Sequence, residues 1–221
     1  MPAPVAAEPP ARERALGALT GLALGDALGM PTQSMSPAQI RRCYGTITGL
    51  RDAVAEQPIA PSVPAGTVTD DTEQALILAG LLVDGGGRID PHQFADALLR
   101  WEDDMRARGS LDLLGPSTKL ALERVRAGAD PHCTGRQGTT NGAAMRVAPV
   151  GIAFSLSADG DALARAVQAS CLVTHDTRQG FEAAGLLAAA VSTAIDGVDA
   201  AGALEAALDF VAAHPGRGHW T

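Results

Sequence analysis

The densest cluster of oxygen-bearing side chains lies at residues 66–73, where the sequence is GTVTDDTE. Thr69, Asp70 and Asp71 offer a hydroxyl and two adjacent carboxylates. Oxygen donors of this kind are the ligands that a hard divalent cation such as Mg²⁺ prefers. Two neighbouring carboxylates also repel each other, and a bound cation would neutralise them. The cluster therefore predicts a metal site.

The same segment has a structural interpretation as the beginning of a helix. Asp70 followed three residues later by Glu73 matches a capping box, in which the aspartate accepts from free helix amides and the glutamate reaches back. Such a pattern is common where a helix begins. Because a cap requires only one of the two aspartates, the local sequence leaves both interpretations open.

Two further segments carry polar groups in otherwise apolar surroundings. Residues 138–151, GTTNGAAMRVAPVG, form a small-residue loop that opens a helix, so free amides there could face an anion. Arg146 in this run is either a buried partner of a carboxylate or a ligand-facing cation. His175 lies between a threonine and an aspartate, although a lone histidine at a helix start is usually structural. The other histidines show no metal-ligand spacing and receive no assignment: His92, His132, His214 and His219.

The elements that must position these groups are helices, because apolar residues recur at three- and four-residue spacing almost everywhere. β-branched and aromatic residues in strict alternation are scarce, so the pattern predicts an all-α fold. Residues 46–68 contain three prolines and no helical period, which predicts a long connection that is functional or disordered. The predicted helices are Arg12–Gly29, Pro37–Tyr44, Thr72–Asp84, Pro91–Arg108, Ser117–Ala127, Asn141–Ser155, Asp161–Leu172, Gln179–Ile195 and Ala200–Ala213.

The first predicted helix contains glycine at every fourth position: Gly17, Gly21, Gly25 and Gly29. Each internal glycine costs roughly 0.5–1 kcal/mol relative to alanine, so the stripe needs a compensating role. One role is close packing of a second backbone, which is the more common explanation for single glycines. The other is space for a ligand or a polar loop beside Asp26.

Composition excludes several functional classes. The chain has 221 residues with 17 basic and 25 acidic side chains, and its formal charge of −8 disfavours nucleic acids and anionic membranes as partners. The uncharged apolar run Ala183–Ile195 is shorter than the roughly 20 residues that cross a bilayer. Three separated cysteines disfavour a disulfide framework and favour a reducing cytoplasm. We expect residues 1–11 to be a loose leader and residues 12–221 a single domain.

Four segments in this order resemble the ADP-ribosylglycohydrolase family: GLALGDALG at 21–29, TDDTE at 69–73, TNGAAMR at 140–146 and THD at 174–176. The resemblance covers nearly the whole chain. It implies an orthogonal all-α bundle whose central cleft holds two divalent cations, Mg²⁺ or Mn²⁺. It also implies hydrolysis of an N- or O-glycosidic bond of ribose, with the cations engaging the ribose hydroxyls.

The resemblance assigns roles to individual residues of a site for a ribosyl or ADP-ribosyl ligand. Gln33 occupies a position where many family members have an acidic residue, and an amide cannot act as a general base. The catalytic residue is therefore unassigned, and either the substrate differs or water reacts without that carboxylate. The other implied roles are metal ligation by Thr69, Asp70 and Asp71, and ligand contact by Asn141, Gly142 and His175.

The family's second metal-ligand motif does not occur before the last residue, Thr221, so the sequence supplies one half of the dinuclear ligand set. Three explanations stay open. The chain is incomplete, another polypeptide completes it as in a split enzyme, or it is a catalytically inactive module that binds ADP-ribose or a nucleotide. Uncovered helix faces in such a chain predict self-association or a partner protein.

Overall fold

A computed structural model of the chain describes residues 10–108, 114–215 and 217–219. Within these residues it contains ten α-helices, one short 3₁₀ turn at Met30–Thr32 and no strand, which confirms the all-α prediction. Residues 1–9 of the expected leader lie outside the described residues. The helices are α1 (Ala11–Gly29), α2 (Pro37–Tyr44), α3 (Asp70–Asp84), α4 (Pro91–Ala107), α5 (Pro116–Arg126), α6 (Gly142–Met145), α7 (Ala148–Ala153), α8 (Gly160–Cys171), α9 (Arg178–Ile195) and α10 (Ala200–Ala213).

One predicted helix is wrong. The segment Asn141–Ser155 forms two short helices, α6 and α7, instead of one. Pro149 has no N–H to donate to the Met145 carbonyl four residues earlier, and its ring would clash with that carbonyl in a continuous helix. The chain therefore ends α6 at Met145 and begins α7 so that Pro149 falls in its first turn, where a missing N–H costs little.

Helix α9 is the centre of the bundle and packs against α6, α7, α8 and α10. The core is made of apolar side chains from these helices together with α3 and α4. Burying one Leu or Phe side chain contributes roughly 1.5–3 kcal/mol, so this core fixes the position of α3. Fully buried members include Leu78, Phe94, Leu98, Leu163 and Phe181.

No helix in the described part of the chain is both long and apolar enough to cross a membrane. Cys43, Cys133 and Cys171 are free thiols, as their spacing predicted. The cytoplasmic location inferred from them stays a prediction.

The glycine stripe of α1 does not mediate close helix packing. A Cβ atom added at Gly17, Gly21, Gly25 or Gly29 would meet nothing within 4 Å among the described residues. The packing interpretation is therefore wrong as far as the described residues go, since none of them packs against the stripe. Its polar neighbour Asp26 instead contacts a loop, as the alternative interpretation anticipated.

An exposed apolar groove lies between α1, α9 and α10, and self-association through it stays a prediction. The groove has a volume of about 470 Å³, and the neighbouring Leu187 and Leu204 are 43% and 50% exposed. We expect light scattering after size-exclusion chromatography to give a mass above that of one chain. Leu187→Lys should shift the chain towards monomer, because it places a charge in the apolar groove. Val83→Lys, an exposed change at the end of α3, is the matched control. A wild-type chain that elutes as a clean monomer would contradict this expectation.

Candidate functional site

The beginning of α3 is capped by a side chain from another helix. The Asp26 Oδ2 of α1 accepts hydrogen bonds from the backbone amides of Thr69 (2.8 Å) and Thr72 (3.2 Å) and from the Thr72 hydroxyl (2.6 Å). The Thr69 hydroxyl donates to Asp26 Oδ1 at 2.7 Å. The predicted capping box is wrong, because Thr69 is the N-cap residue and Glu73 instead accepts from the Trp101 indole at 2.5 Å.

Helix α3 is thus capped by Thr69, whose hydroxyl accepts from the Asp71 amide, and by Asp26, while Asp70 and Asp71 each interact with their own backbone amide. Asp70 contacts the Gln74 amide at 3.4 Å, which is a weak hydrogen bond. Asp71 Oδ2 lies 3.2 Å from the Thr69 hydroxyl, but that hydroxyl has one proton and lies closer to Asp26. Both carboxylates therefore have free acceptor capacity where they line the cleft described below.

The electrostatic environment of these carboxylates is unfavourable without a cation. Burial, and then the neighbouring charges of Asp71 and Asp26, raise the pKa of Asp70 to about 7, although its own backbone amide and Arg146 act in the opposite direction. Burial and the Asp26 charge also raise the pKa of Asp71. Carboxylates with raised pKa values beside a cleft are typical of functional sites. A divalent cation would relieve both the repulsion and the desolvation.

The cleft has a volume of about 310 Å³ and brings together six of the seven residues that sequence analysis assigned to the site. A second cavity of about 470 Å³ adjoins it along the glycine stripe of α1 and shares Gln33, Thr69, Asp71 and Asn141 with it. His175 lies behind the wall rather than in it. The six assigned residues that line the first cleft are Gln33, Thr69, Asp70, Asp71, Asn141 and Gly142.

A buried amide organises the long proline-rich connection beside this cleft. The Gln57 Nε2 donates to the Met30 carbonyl at 3.1 Å, and Gln57 Oε1 accepts from the backbone amides of Ile59 and Ala60 at 2.6 and 2.5 Å. Ile59 and Ala60 line the cleft, as does Gln33, which follows the 3₁₀ turn at Met30–Thr32. The connection is therefore ordered around Gln57, a residue that no local pattern singled out.

His175 supports the cleft wall from behind. Its side chain is fully buried, with Nε2 at 2.9 Å from the Thr140 hydroxyl and Nδ1 at 2.8 Å from the Thr174 hydroxyl. Burial, and then the charge of Arg146, lowers the pKa of His175 to about 3. The imidazole is therefore neutral at physiological pH and serves as a relay of hydrogen bonds rather than as a charge.

The hydrogen-bond network fixes the direction of that relay. Arg146 Nη2 donates to the Thr174 hydroxyl oxygen at 2.5 Å, so the Thr174 proton is available for His175 Nδ1. His175 then carries its proton on Nε2 and donates it to Thr140. It follows that the Thr140 hydroxyl proton is free to be donated into the cleft that Thr140 lines.

Two glycines allow the 138–142 loop to lie directly against the His175 segment. A Cβ at Gly138 would lie 1.9 Å from the Thr174 carbonyl oxygen, and one at Gly142 would lie 2.6 Å from His175 Cε1. Asn141 is the N-cap residue of α6, but its side chain makes no capping bond and is exposed to the cleft. Because α6 has only four residues, its dipole is small, and the expected anion-binding helix N-terminus is not supported.

Arg146 is buried, as one of the two sequence interpretations proposed, but among the described residues it donates to an amide, a hydroxyl and a carbonyl oxygen rather than to a carboxylate. It is fully buried, donates to Gln74 Oε1 at 2.9 Å, and its guanidinium lies 5.0 Å from the centroid of the Phe94 ring. Gln74 in turn contacts Asp70. Arg146 therefore supports both walls of the cleft, one through Gln74 and the other through Thr174, and does not line the cleft itself.

Comparisons with known proteins give a consistent result. The sequence profile of the ADP-ribosylglycohydrolase family matches residues 7–221. The chain is 36% identical over 185 residues to the uncharacterized protein YegU of Escherichia coli (strain K12), covering 84% of this chain and 55% of that protein. It is 33% identical over 198 residues to the ADP-ribosylarginine hydrolase Tri1 of Pseudomonas putida (strain GB-1), covering 86% and 48%.

A solved structure described as an ADP-ribosylglycohydrolase-related protein complex superimposes with a TM-score of 0.66 at 33% identity, covering 93% of this chain and 64% of that chain. The ADP-ribosyl-[dinitrogen reductase] glycohydrolase of Rhodospirillum rubrum is 32% identical over 154 residues, covering 66% of this chain and 46% of that protein. The chain spans about half the length of the curated relatives that it matches.

Proposed function

We propose that this chain, which belongs to the ADP-ribosylglycohydrolase family, supplies a divalent-cation site for the hydrolysis of N- or O-ribosyl bonds. The observation that supports this most strongly is the cap of α3. Because Asp26 accepts from the Thr69 and Thr72 amides and the Thr69 hydroxyl accepts from the Asp71 amide, both Asp70 and Asp71 keep lone pairs for a cation. A purely structural helix start would need neither of them.

The donor set fits Mg²⁺ or Mn²⁺. Asp70, Asp71 and the Thr69 hydroxyl offer oxygen ligands. The proton of Thr69 is directed towards Asp26 and one of its lone pairs faces the Asp71 amide, which leaves one lone pair for a metal. The raised carboxyl pKa values support this choice, because burial and mutual repulsion outweigh the opposing charge of Arg146 at Asp70. A bound divalent cation would supply orientation of the ribose hydroxyls and activation of water for attack on the glycosidic carbon.

The remaining cleft residues would bind and orient the ligand. Thr140 would donate a hydrogen bond to a sugar or phosphate oxygen, because His175 already occupies one of its lone pairs. The Asn141 and Gln33 amides each offer a donor and an acceptor, which suits the hydroxyls of a ribose. Gln33 cannot take a proton from water, so it would position the ligand rather than act as a base.

Two substrate classes stay within this proposal. Relatives of the chain are named for hydrolysis of ADP-ribosylarginine and of ADP-ribosylated dinitrogen reductase, which favours an ADP-ribosylated side chain. The Gln33 amide favours a small riboside. The second candidate function is binding of ADP-ribose without turnover, either by the chain alone or as one half of a split enzyme, and Gln33 is again the observation that favours it.

The direct test is release of ADP-ribose from ADP-ribosylarginine, or of ribose from a small riboside, with Mg²⁺ or with EDTA. We expect release to require the cation and to be lost in Asp70→Ala and Asp71→Ala. Asp84→Ala, an exposed change at the other end of α3, is the matched control and should retain activity. Calorimetry with ADP-ribose on the same proteins measures binding separately.

The outcomes distinguish the proposals. Equal activity of the wild type and both α3 variants would refute the role of Asp70 and Asp71 in catalysis. Tight binding of ADP-ribose without release at saturating Mg²⁺ would favour the binding module. Failure of any divalent cation to bind or to raise the melting temperature would favour a purely structural domain.

A further inference from the structure

The fold brings together two histidines and an aspartate at the end of α5 that is remote from the cleft. His92 is the second residue of α4, whereas Asp130 and His132 follow α5. The Asp130 Oδ1 lies 2.9 Å from His132 Nδ1 and 3.9 Å from His92 Nε2. One ligand atom from each of the three residues lies within 4.8 Å of the other two. The residues that line the cleft on this helix belong to its first turn, at Pro116 and Thr118.

Hydrogen bonds fix the backbone turn that carries Asp130 and His132. Asp130 Oδ1 also accepts from the His132 backbone amide at 3.0 Å, and the Asp130 carbonyl accepts from the Cys133 amide at 2.9 Å. Each histidine directly follows a proline, Pro91 or Pro131, whose ring restricts φ. The backbone thus holds the three ligands in place, while the exposed side chains can adjust by small rotations.

We propose that His92, Asp130 and His132 form a binding site for a divalent transition-metal ion of the Zn²⁺ class. Two imidazoles and one carboxylate are a three-ligand set that such ions accept, with water in the fourth position. Metal–ligand distances of about 2.0 Å place tetrahedral ligands about 3.3 Å apart, a value that lies between the 2.9 and 3.9 Å separations of Asp130 from the two histidines. A bound ion would link the beginning of α4 to the loop after α5.

An ordinary surface ion pair does not account for this arrangement as well. A single histidine paired with Asp130 would be such a pair, and exposed pairs contribute little. Here the two imidazole rings converge on one carboxylate, with ring centroids 5.4 Å apart. The nitrogen donors also distinguish this site from the oxygen-only set at Asp70 and Asp71, because Mg²⁺ disfavours imidazole.

The experiment titrates the untagged full chain with Zn²⁺ in the presence of excess Mg²⁺, which competes at oxygen-only sites. Calorimetry should give one Zn²⁺ per chain, and His92→Ala and His132→Ala should each weaken binding by at least about tenfold. His214→Ala is the matched control, because His214 also pairs with an aspartate, Asp161, but Arg217 lies beside that carboxylate instead of a second imidazole. It should leave Zn²⁺ affinity unchanged.

The absorption spectrum of Co²⁺ on the same site gives an independent readout. We expect visible bands of a nitrogen-ligated ion in the wild type and in His214→Ala, and their loss in both site variants. Circular dichroism checks that the exposed substitutions leave the fold intact. Absence of Zn²⁺ binding under excess Mg²⁺, or equal binding by the wild type and the His92→Ala and His132→Ala variants, would overturn the proposal.

Discussion

Arg146→Met is expected to lower the free energy of unfolding by about 3 kcal/mol, and the melting temperature by roughly 10 °C. The guanidinium is fully buried and donates to Gln74 Oε1, the Thr174 hydroxyl and, at 3.4 Å, the Ser170 carbonyl. Methionine fills a similar length with apolar atoms but donates nothing to these buried acceptors. Each buried acceptor left unpaired costs about 1–3 kcal/mol.

Two effects oppose this loss and set its size. Arg146 itself pays a desolvation cost, which lowers its pKa to about 10, and its Nε has no hydrogen-bond partner among the described residues. Methionine removes both penalties, and it keeps the contact with Phe94. Thr174 can also redirect its hydroxyl. We therefore expect a loss nearer 3 kcal/mol than the 5 kcal/mol at the upper end for broken buried networks.

Urea and thermal unfolding of the metal-free protein measure this effect. Arg165→Met is the matched control, because its guanidinium is exposed and lies 3.8 Å from Asp159 in a surface pair, so its effect should stay within about 0.5 kcal/mol. Arg146→Lys keeps the charge but reaches fewer acceptors, and its loss should be intermediate. A variant Arg146→Met as stable as the wild type would contradict a supporting role for Arg146.

Most of the helical architecture was predictable because each helix has its own apolar period. Helix α2 and helix α10 begin and end where the sequence predicts. The break between α6 and α7 was also encoded locally, in Pro149, but the small apolar residues around it extend the helical period across the proline. The apolar period of this segment identifies which face is buried. Whether that face belongs to one helix or to two depends on the N–H that Pro149 lacks.

The parts of the site that consist of residues adjacent in sequence were predictable. The parts that depend on contacts between residues far apart in sequence were not. Asp70 and Asp71 stand together in the sequence, so their shared chemistry was visible. The cap supplied by Asp26 joins residues 43 and 46 positions apart, and no local pattern encodes it. The contact of Gln74 with Arg146 spans 72 positions. Such contacts depend on how the helices cross, which periodicity does not specify.

The same reasoning explains why His92 and His132 received no assignment. Metal-ligand motifs are recognisable when their ligands share one helix or one loop. These two histidines are 40 positions apart by number, and the packing of α4 against α5 brings them together. Only the fold makes them neighbours.

Asp70→Asn is expected to stabilise the metal-free protein at pH 8 by roughly 2 kcal/mol. The folded-state pKa of Asp70 is raised from about 3.8 to about 7, chiefly by burial. Between these values the folded protein holds a proton that the unfolded chain releases, so stability falls as pH rises from about 4 to about 7 and stays low above that. Asparagine carries no such proton and keeps an acceptor for Gln74.

The magnitude follows from two opposing terms. A carboxylate in the first turn of a helix is favoured by about 0.3–1 kcal/mol through the helix dipole. A rise of about three pKa units corresponds to about 4 kcal/mol before the site relaxes, so desolvation and repulsion dominate. The gain from Asp70→Asn should therefore be present at pH 8 and shrink towards zero or reverse near pH 4.

Chemical unfolding in EDTA across this pH range tests whether Asp70→Asn stabilises or destabilises the protein. Repeating it with Mg²⁺ tests whether the unneutralised Asp70 carboxylate is the cause. Asp209→Asn, an exposed substitution on α10, should show no comparable pH-dependent gain. Millimolar Mg²⁺ should raise the stability of the wild type at pH 8 but not that of Asp70→Asn, because a cation that binds only the folded state stabilises it by mass action. If Asp70→Asn instead destabilised the metal-free protein at pH 8, the Asp70 carboxylate would be stabilising the start of α3, which would contradict this prediction.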